Sequence, residues 1–243
     1  MLNRDGDSFC KKMRNATKEI HTVSDTLVNT KLAFGFLNDS VWADGLLVFY
    51  EVFRYLEGAM IRLKNTKIGL FPLDKLYRTN AFELDLDFYL GDEWMKNYSP
   101  RDSVVKYLIH LREVEDTNPI LLIAYIYHLY MGLLSGGIIL RKKRQLMQKV
   151  VPFRKIQTRG NSITDFPCNI YELKRNIRDT TNKIAEILDE DTRNKLIEES
   201  KVVFALNNEI IKSVRGAGTV ILKKILYFIA VFTLIVLVFV FYK

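Results

Sequence analysis

Cysteine is scarce: the 243 residues hold two, Cys10 and Cys168. They stand far apart with no histidine or cysteine at ligand spacing, which excludes a disulfide framework and a zinc cluster and points to a reducing compartment for the folded part. Strand-type alternation and internal repeats are also missing, so the fold class is read as all-α. The first seven residues are polar, so no secretory signal with an apolar centre is expected there. Basic residues are not interleaved with aromatics as in a recognisable nucleic-acid module. The net charge of +8 is therefore assigned to an anionic membrane surface or an acidic protein, and no nucleic acid is expected.

What the chain does have is apolar mass, 49% of its residues, enough for one sizeable core. Ile225 to Tyr242 is an uninterrupted uncharged run between Lys223-Lys224 and Lys243, long enough to cross a bilayer as a helix. A soluble core helix of that length would show a polar face, and this run has none. The expected organisation is a helical domain over residues 1–215, a short linker 216–224 and a transmembrane tail anchor 225–242, with everything before the anchor facing the cytosol.

Apolar spacing predicts a first helix from Ser8 to Ser24, with Phe9, Met13, Ala16 and Ile20 on one stripe. A second helix is predicted from Trp42 to Lys64, with Leu46, Leu47, Tyr50, Phe53, Leu56 and Met60 inward. Shorter pieces follow around residues 75–89, then a helix from Ser103 to Glu113. Pro119 opens a central helix that runs into Arg141-Lys142-Lys143-Arg144, a solvated helix end that also suits an acidic partner. Residues 160–167 read as a loop, and two more helices cover about 170–188 and 191–214.

Two stretches carry chemistry. Arg14, Thr17, Lys18 and His21 form a second face on the first helix. One imidazole with cations one and two turns before it suits a ligand with a metal and anionic arms, because neutral histidine coordinates and Arg and Lys pair with carboxylates. A solvated charged face with an incidental histidine fits the same pattern. In the central helix, Gly132, Gly136 and Gly137 cost ~1 kcal/mol each relative to alanine, so they need a reason. Close approach of the backbone to something flat or bulky is one; a small-residue contact with another helix is the other.

Three segments taken together resemble the eukaryotic heme oxygenases: Ala16-Thr17-Lys18-Glu19-Ile20-His21-Thr22, Tyr130-Met131-Gly132-Leu133-Leu134-Ser135-Gly136-Gly137, and Ile197-Glu198-Glu199-Ser200-Lys201-Val202-Val203-Phe204-Ala205-Leu206-Asn207. The resemblance spans Phe9 to Val214 and includes the order of the intervening helices. It implies a single multi-helix heme oxygenase-like domain followed by a membrane anchor. It also implies cleavage of heme to biliverdin, carbon monoxide and ferrous iron, with O2 as co-substrate and electrons from an NADPH-dependent cytochrome P450 reductase. The expected location is the endoplasmic reticulum membrane.

By the same resemblance, His21 is the proximal ligand to heme iron, with Arg14, Thr17 and Lys18 beside the proximal face and propionates. Tyr127, Lys174 and Arg178 hold the propionates, and Phe204 is a pocket aromatic. Gly132 and Gly136 let the distal helix lie against the porphyrin, while Tyr107 and Asn207 belong to the distal polar network. Three positions depart from the family pattern in one direction: the distal aspartate is Leu133, an arginine one turn earlier is Leu129, and a tyrosine of the network is Phe53. In the family that aspartate orders the water that delivers a proton during oxygen activation. His128, one turn before Gly132, is the nearest titratable substitute, and a plain surface or core histidine is the alternative. The competing reading is a heme-binding sensor or carrier without turnover; a helical membrane adaptor without heme is the third.

Overall fold

The structure, a computed structural model, describes residues 8–33, 38–150, 159–216 and 233. Its α-helices are α1 (Phe9–Ala16), α2 (Lys18–Ala33), α3 (Asp39–Arg62), the single turn α4 (Leu73–Leu76), α5 (Thr79–Leu90), α6 (Asp102–Thr117), α7 (Leu122–Gly132), α8 (Ile138–Val150), α9 (Ile170–Glu186) and α10 (Glu190–Lys212). No strand occurs among the described residues, in line with the all-α expectation. The expected anchor, Thr233 apart, and most of the linker lie outside the described residues.

Local chemistry explains most of the boundaries. Asn38 opens α3 by accepting from Ser40 N at 3.0 Å, Asn169 opens α9 by accepting from Tyr171 N at 2.9 Å, and Asp189 opens α10 by accepting from Thr192 N at 2.7 Å. Each side chain satisfies an amide that the first turn cannot pair internally. Gly91, at φ +84°, ends α5 in the left-handed region that favours glycine.

The helix expected from Ser8 to Ser24 is instead two helices, and the second continues to Ala33. The break is Thr17, at φ −102° and ψ 2°. Its hydroxyl donates to Met13 O at 2.9 Å and to Arg14 O at 3.3 Å, a back-bonding that bends helices. The bend also shifts the inward stripe: Thr17 is buried and Ala16 exposed, the reverse of the predicted pair.

Helix α10 packs on α2, α7, α6 and α1, while α3 lies against α5 and α6. The stripe predicted for α3 faces inward, but burial extends to Val41, Val48, Val52 and Ala59, because neighbours cover the helix on two sides. Glu57 is buried on α3 and satisfied there: its carboxylate accepts from Thr79 N at 3.1 Å and from the Tyr130 hydroxyl at 3.1 Å. The segment expected as a loop over 160–167 contains the 3-10 turn Ser162–Thr164, held on α5 because Asp85 accepts from Ser162 N at 2.8 Å and Ile163 N at 3.0 Å.

A continuous rod runs from the 3-10 turn Pro119–Leu121 through α7, a π-helical turn Leu133–Gly137 and α8. Among the described residues, Pro119–Lys149 is the one helix long and apolar enough to cross a membrane, but half of its apolar window is buried inside the fold. It is the core helix. The basic run at its end is not uniformly solvated. Arg144 turns inward and lies 4.8 Å from the Trp42 ring centre and 5.1 Å from that of Tyr89, with Nη2 2.5 Å from Asp39 Oδ1.

Candidate active site

Helices α2, α7 and α10 bring His21, His128 and Phe204 together. The Phe204 ring centre lies 5.3 Å from His21 and 5.0 Å from His128. The His21 side chain is 54% exposed, and its Nδ1 is 3.1 Å from Asp25 Oδ2, one turn later on α2. That contact occupies one ring nitrogen and leaves Nε2 available to a ligand, the division found in metal-binding histidines. Asp25 was not singled out in the sequence, although a carboxylate four residues after a candidate ligand is a readable signal.

Gly132 ends α7 and Gly136 lies in the π-helical turn that follows; both are exposed, and a methyl group added to either would meet nothing within 4 Å. Neither glycine serves a helix–helix contact among the described residues, so the small-residue packing explanation does not hold for them. Gly137 is different: a methyl there would come within 2.9 Å of Leu133 Cδ1 and 3.4 Å of Thr164 Cγ2. His128 shares the side of Gly132 by spacing. Its Nε2 is buried with no hydrogen-bond partner. Burial, with the charge of His21 second, lowers its pKa to about 3, so the ring is neutral at physiological pH.

A second cluster forms where α1, α7 and α9 meet. Tyr127 is buried, with its hydroxyl bonded to the Cys10 thiol, and the charges of Arg178 and Arg14 act on it. Burial pushes that thiol up to about 12, and Cys10 Sγ contacts Arg178 O at 3.6 Å. Lys174 and Arg178 are half-buried, one turn apart on α9. Burial, then repulsion from Arg178, holds the Lys174 ammonium below its ordinary pKa. Two cations kept together without a carboxylate partner among the described residues form a place for an anion. Arg14 and Lys18 are exposed. Thr17 is not free for a ligand, since its hydroxyl is spent on the helix backbone.

The third group lies between α6, α7 and α10. Tyr107 is fully buried and donates to Asn207 Oδ1 at 3.1 Å. Beside it, Glu199 accepts from the Tyr125 hydroxyl and sits 2.7 Å from His110 Nε2. None of these three stood out in the sequence, because nothing local marks residues that meet only across helices. The wall near Gly132 is apolar: Leu129 is buried, Leu133 half-buried, and Phe53 packs edge-on to Tyr130 at 5.3 Å.

The heme oxygenase family model matches residues 7–213. The chain belongs to the heme oxygenase family. Human heme oxygenase 1 is 29% identical over 212 residues, which cover 84% of this chain and 70% of that protein. Heme oxygenase 2 of the cyanobacterium Synechocystis is 27% identical over 210 residues, covering 84% of this chain and 81% of that one. Among solved structures, the heme oxygenase of Leptospira interrogans superposes with a TM-score of 0.75 at 29% identity, covering 85% of this chain and 100% of that one. The Synechocystis heme oxygenase-1 structure in complex with heme superposes at 0.79 over 93% of this chain and 100% of that one; at 24% identity it establishes the shared fold. As a heme oxygenase family member, the chain has residues that fit a heme: an imidazole with a free nitrogen, an open glycine face, and cations for carboxylate arms.

Proposed function

We propose that the chain is a heme oxygenase that opens heme to biliverdin, carbon monoxide and ferrous iron, using O2 and electrons from an NADPH-dependent cytochrome P450 reductase. The observation that carries this reading is the open face at Gly132 and Gly136 in a fold that also presents His21 with Nε2 free. Heme supplies the iron that activates oxygen and the ring that is opened. The chain's own residues then do four things. His21, held by Asp25, ligates; Arg14, Lys18, Tyr127, Lys174 and Arg178 orient the propionates; Gly132 and Gly136 admit the ring plane; and Tyr107 with Asn207 holds polar hydrogens on the distal side.

Proton delivery is the weak step in this chain. Leu133 and Leu129 stand where the family resemblance places an aspartate and an arginine, and they offer no acid and no anchor for water. His128 is neutral and has no imidazolium proton to give. Loss of one positioned donor typically costs ~100-fold or more in rate, so slow turnover is expected. The same residues favour the second reading, a heme sensor or carrier that does not turn over. In either case the uncharged run Ile225–Tyr242 supports a tail anchor in the endoplasmic reticulum membrane with the helical domain in the cytosol. Heme titration followed by reductase, NADPH and oxygen separates the readings: a Soret band and then biliverdin supports the enzyme, while a Soret band alone leaves the carrier. Removal of residues 216–243 should release the protein from membranes without loss of heme binding.

A further inference from the structure

Resting on the tail-anchor reading above, we infer that the outer face of α8 lies on an anionic lipid bilayer, beside the point where the chain leaves the domain. That face is built by spacing: Ile139, Lys142, Leu146 and Lys149 recur every three or four residues and so share one side of the helix, with Lys143 and Met147 next to them. All six are exposed, while Leu140, Arg144 and Gln148 turn the opposite side into the fold. No acidic residue occurs on α8. Apolar side chains interleaved with lysines suit a bilayer interface: the apolar groups enter the headgroup layer, the lysine stems lie along it, and the ammonium groups reach phosphate. A soluble acidic surface would answer the lysines and leave Ile139 and Leu146 in water.

Hydrogen bonds place α8 at the exit of the chain. On one side, Lys143 Nζ donates to Asn29 Oδ1 at 3.2 Å and Arg144 pairs with Asp39, so α8 rests on the end of α2 and the start of α3. The exit uses the same two ends: Lys31 Nζ donates to Lys212 O at 2.9 Å, and Arg215 N donates to Asp44 Oδ2 at 2.6 Å. A methyl on Gly216 would lie 3.1 Å from Val41 Cγ2. Only residues 217–224 separate Gly216 from Ile225, so the apolar run starts within about 30 Å of this point. A tether that short makes docking of α8 intramolecular, and a weak interfacial affinity then suffices. Asp39 and Asp44 are held by Arg144 and Arg101, which leaves the lysines to set the sign of the surface. Because α8 continues the rod that carries Gly132 and Gly136, docking also sets how the open glycine face stands relative to the bilayer.

The test uses the full chain in phosphatidylcholine vesicles with and without phosphatidylserine. Leu146→Cys in a Cys168→Ser chain carries a nitroxide; Cys10, buried with its thiol pushed up to about 12, escapes labelling. In the anionic vesicles the label should lose its accessibility to a water-soluble nickel chelate and keep its accessibility to oxygen, and added salt should reverse this. A label at Ile187→Cys, beyond the far end of the 23-residue α10, should stay open to the chelate in both lipids. Lys142→Gln with Lys149→Gln should restore chelate access at position 146 without changing flotation with vesicles. If the chain floats and position 146 stays open to the chelate in both lipids, the inference is overturned and the anchor stands. Equal shielding in both lipids overturns the assignment to an anionic surface, and shielding from oxygen and chelate alike means that protein covers the face instead. A chain that floats with neither vesicle overturns the anchor reading and the inference with it.

Discussion

Asp25 holds His21: the carboxylate oxygen lies 3.1 Å from Nδ1, one helical turn along α2. A partner on the non-ligating nitrogen fixes the tautomer and aims the other nitrogen, and such partners typically account for 10–100-fold in metal affinity. Asp25→Ala should lower heme affinity by roughly that factor, read by Soret titration, with the helix intact by circular dichroism. His21→Ala should shift or abolish the Soret band; an unchanged spectrum removes His21 as the ligand.

The open face of α7 gives a test in which stability and binding move in opposite directions. In the heme-free protein, Gly136→Ala places a methyl where nothing lies within 4 Å, and alanine favours a helix by up to ~1 kcal/mol over glycine. The variant should melt at the same temperature or slightly higher without heme, yet bind heme more weakly. Heme affinity unchanged from the natural chain in both Gly132→Ala and Gly136→Ala would show that the porphyrin does not use this face.

Leu133→Asp combined with Leu129→Arg should raise the rate of biliverdin formation by restoring an acid and its counter-charge, while lowering thermal stability. Leu129 is buried, and exchanging large apolar side chains for polar ones costs on the order of 1–3 kcal/mol even when partly hydrogen-bonded. Single-turnover kinetics and a melting curve measured together report both effects. A natural chain that already turns over as fast as the double variant must use another donor.

Glu115 is a pH-sensitive tie. It accepts from Arg62 Nε and Nη2 at 2.7 Å each and from the Tyr55 hydroxyl at 2.6 Å. The Arg62 bond, chiefly, holds its carboxyl below the ordinary 4.5. A folded pKa below the unfolded one contributes stability that is complete above 4.5 and disappears as pH falls through the folded value. Because Arg62 is half exposed, the contribution is of order 1 kcal/mol or less. Glu115→Gln should therefore destabilise at pH 7 and be neutral in strong acid, by urea melts at both pH values.

Much of the fold was legible because its signals are local: apolar spacing on α3 and α7, and Pro119 as a starter. The break at Thr17 was not, since a threonine inside an apolar pattern signals nothing until its hydroxyl chooses the backbone. Arg144 was hidden in a run of four basic residues of which Lys142 and Lys143 are exposed, and its burial depends on Trp42 and Tyr89 arriving from distant segments. At the site, the His21 face and the glycine pair each had two explanations in the sequence, and the family resemblance chose between them. Asp25 was readable but passed over. The Tyr125–Glu199–His110 group exists only through the packing of three helices, so no window of sequence contains it.

The π-helical turn Leu133–Gly137 amounts to one extra residue inserted into an otherwise α-helical rod. Each residue of an α-helix advances the angular phase by about 100°, so everything after the turn is rotated relative to an unbroken helix. Arg144, lodged between Trp42 and Tyr89, is the peg that registers that rotation. Deleting one residue within 133–137 would let the rod close into regular helix and leave its first half undisturbed. The second half would then present a different residue to the Trp42–Tyr89 slot, setting an uninterrupted helix against its own docking point about a quarter-turn out of step.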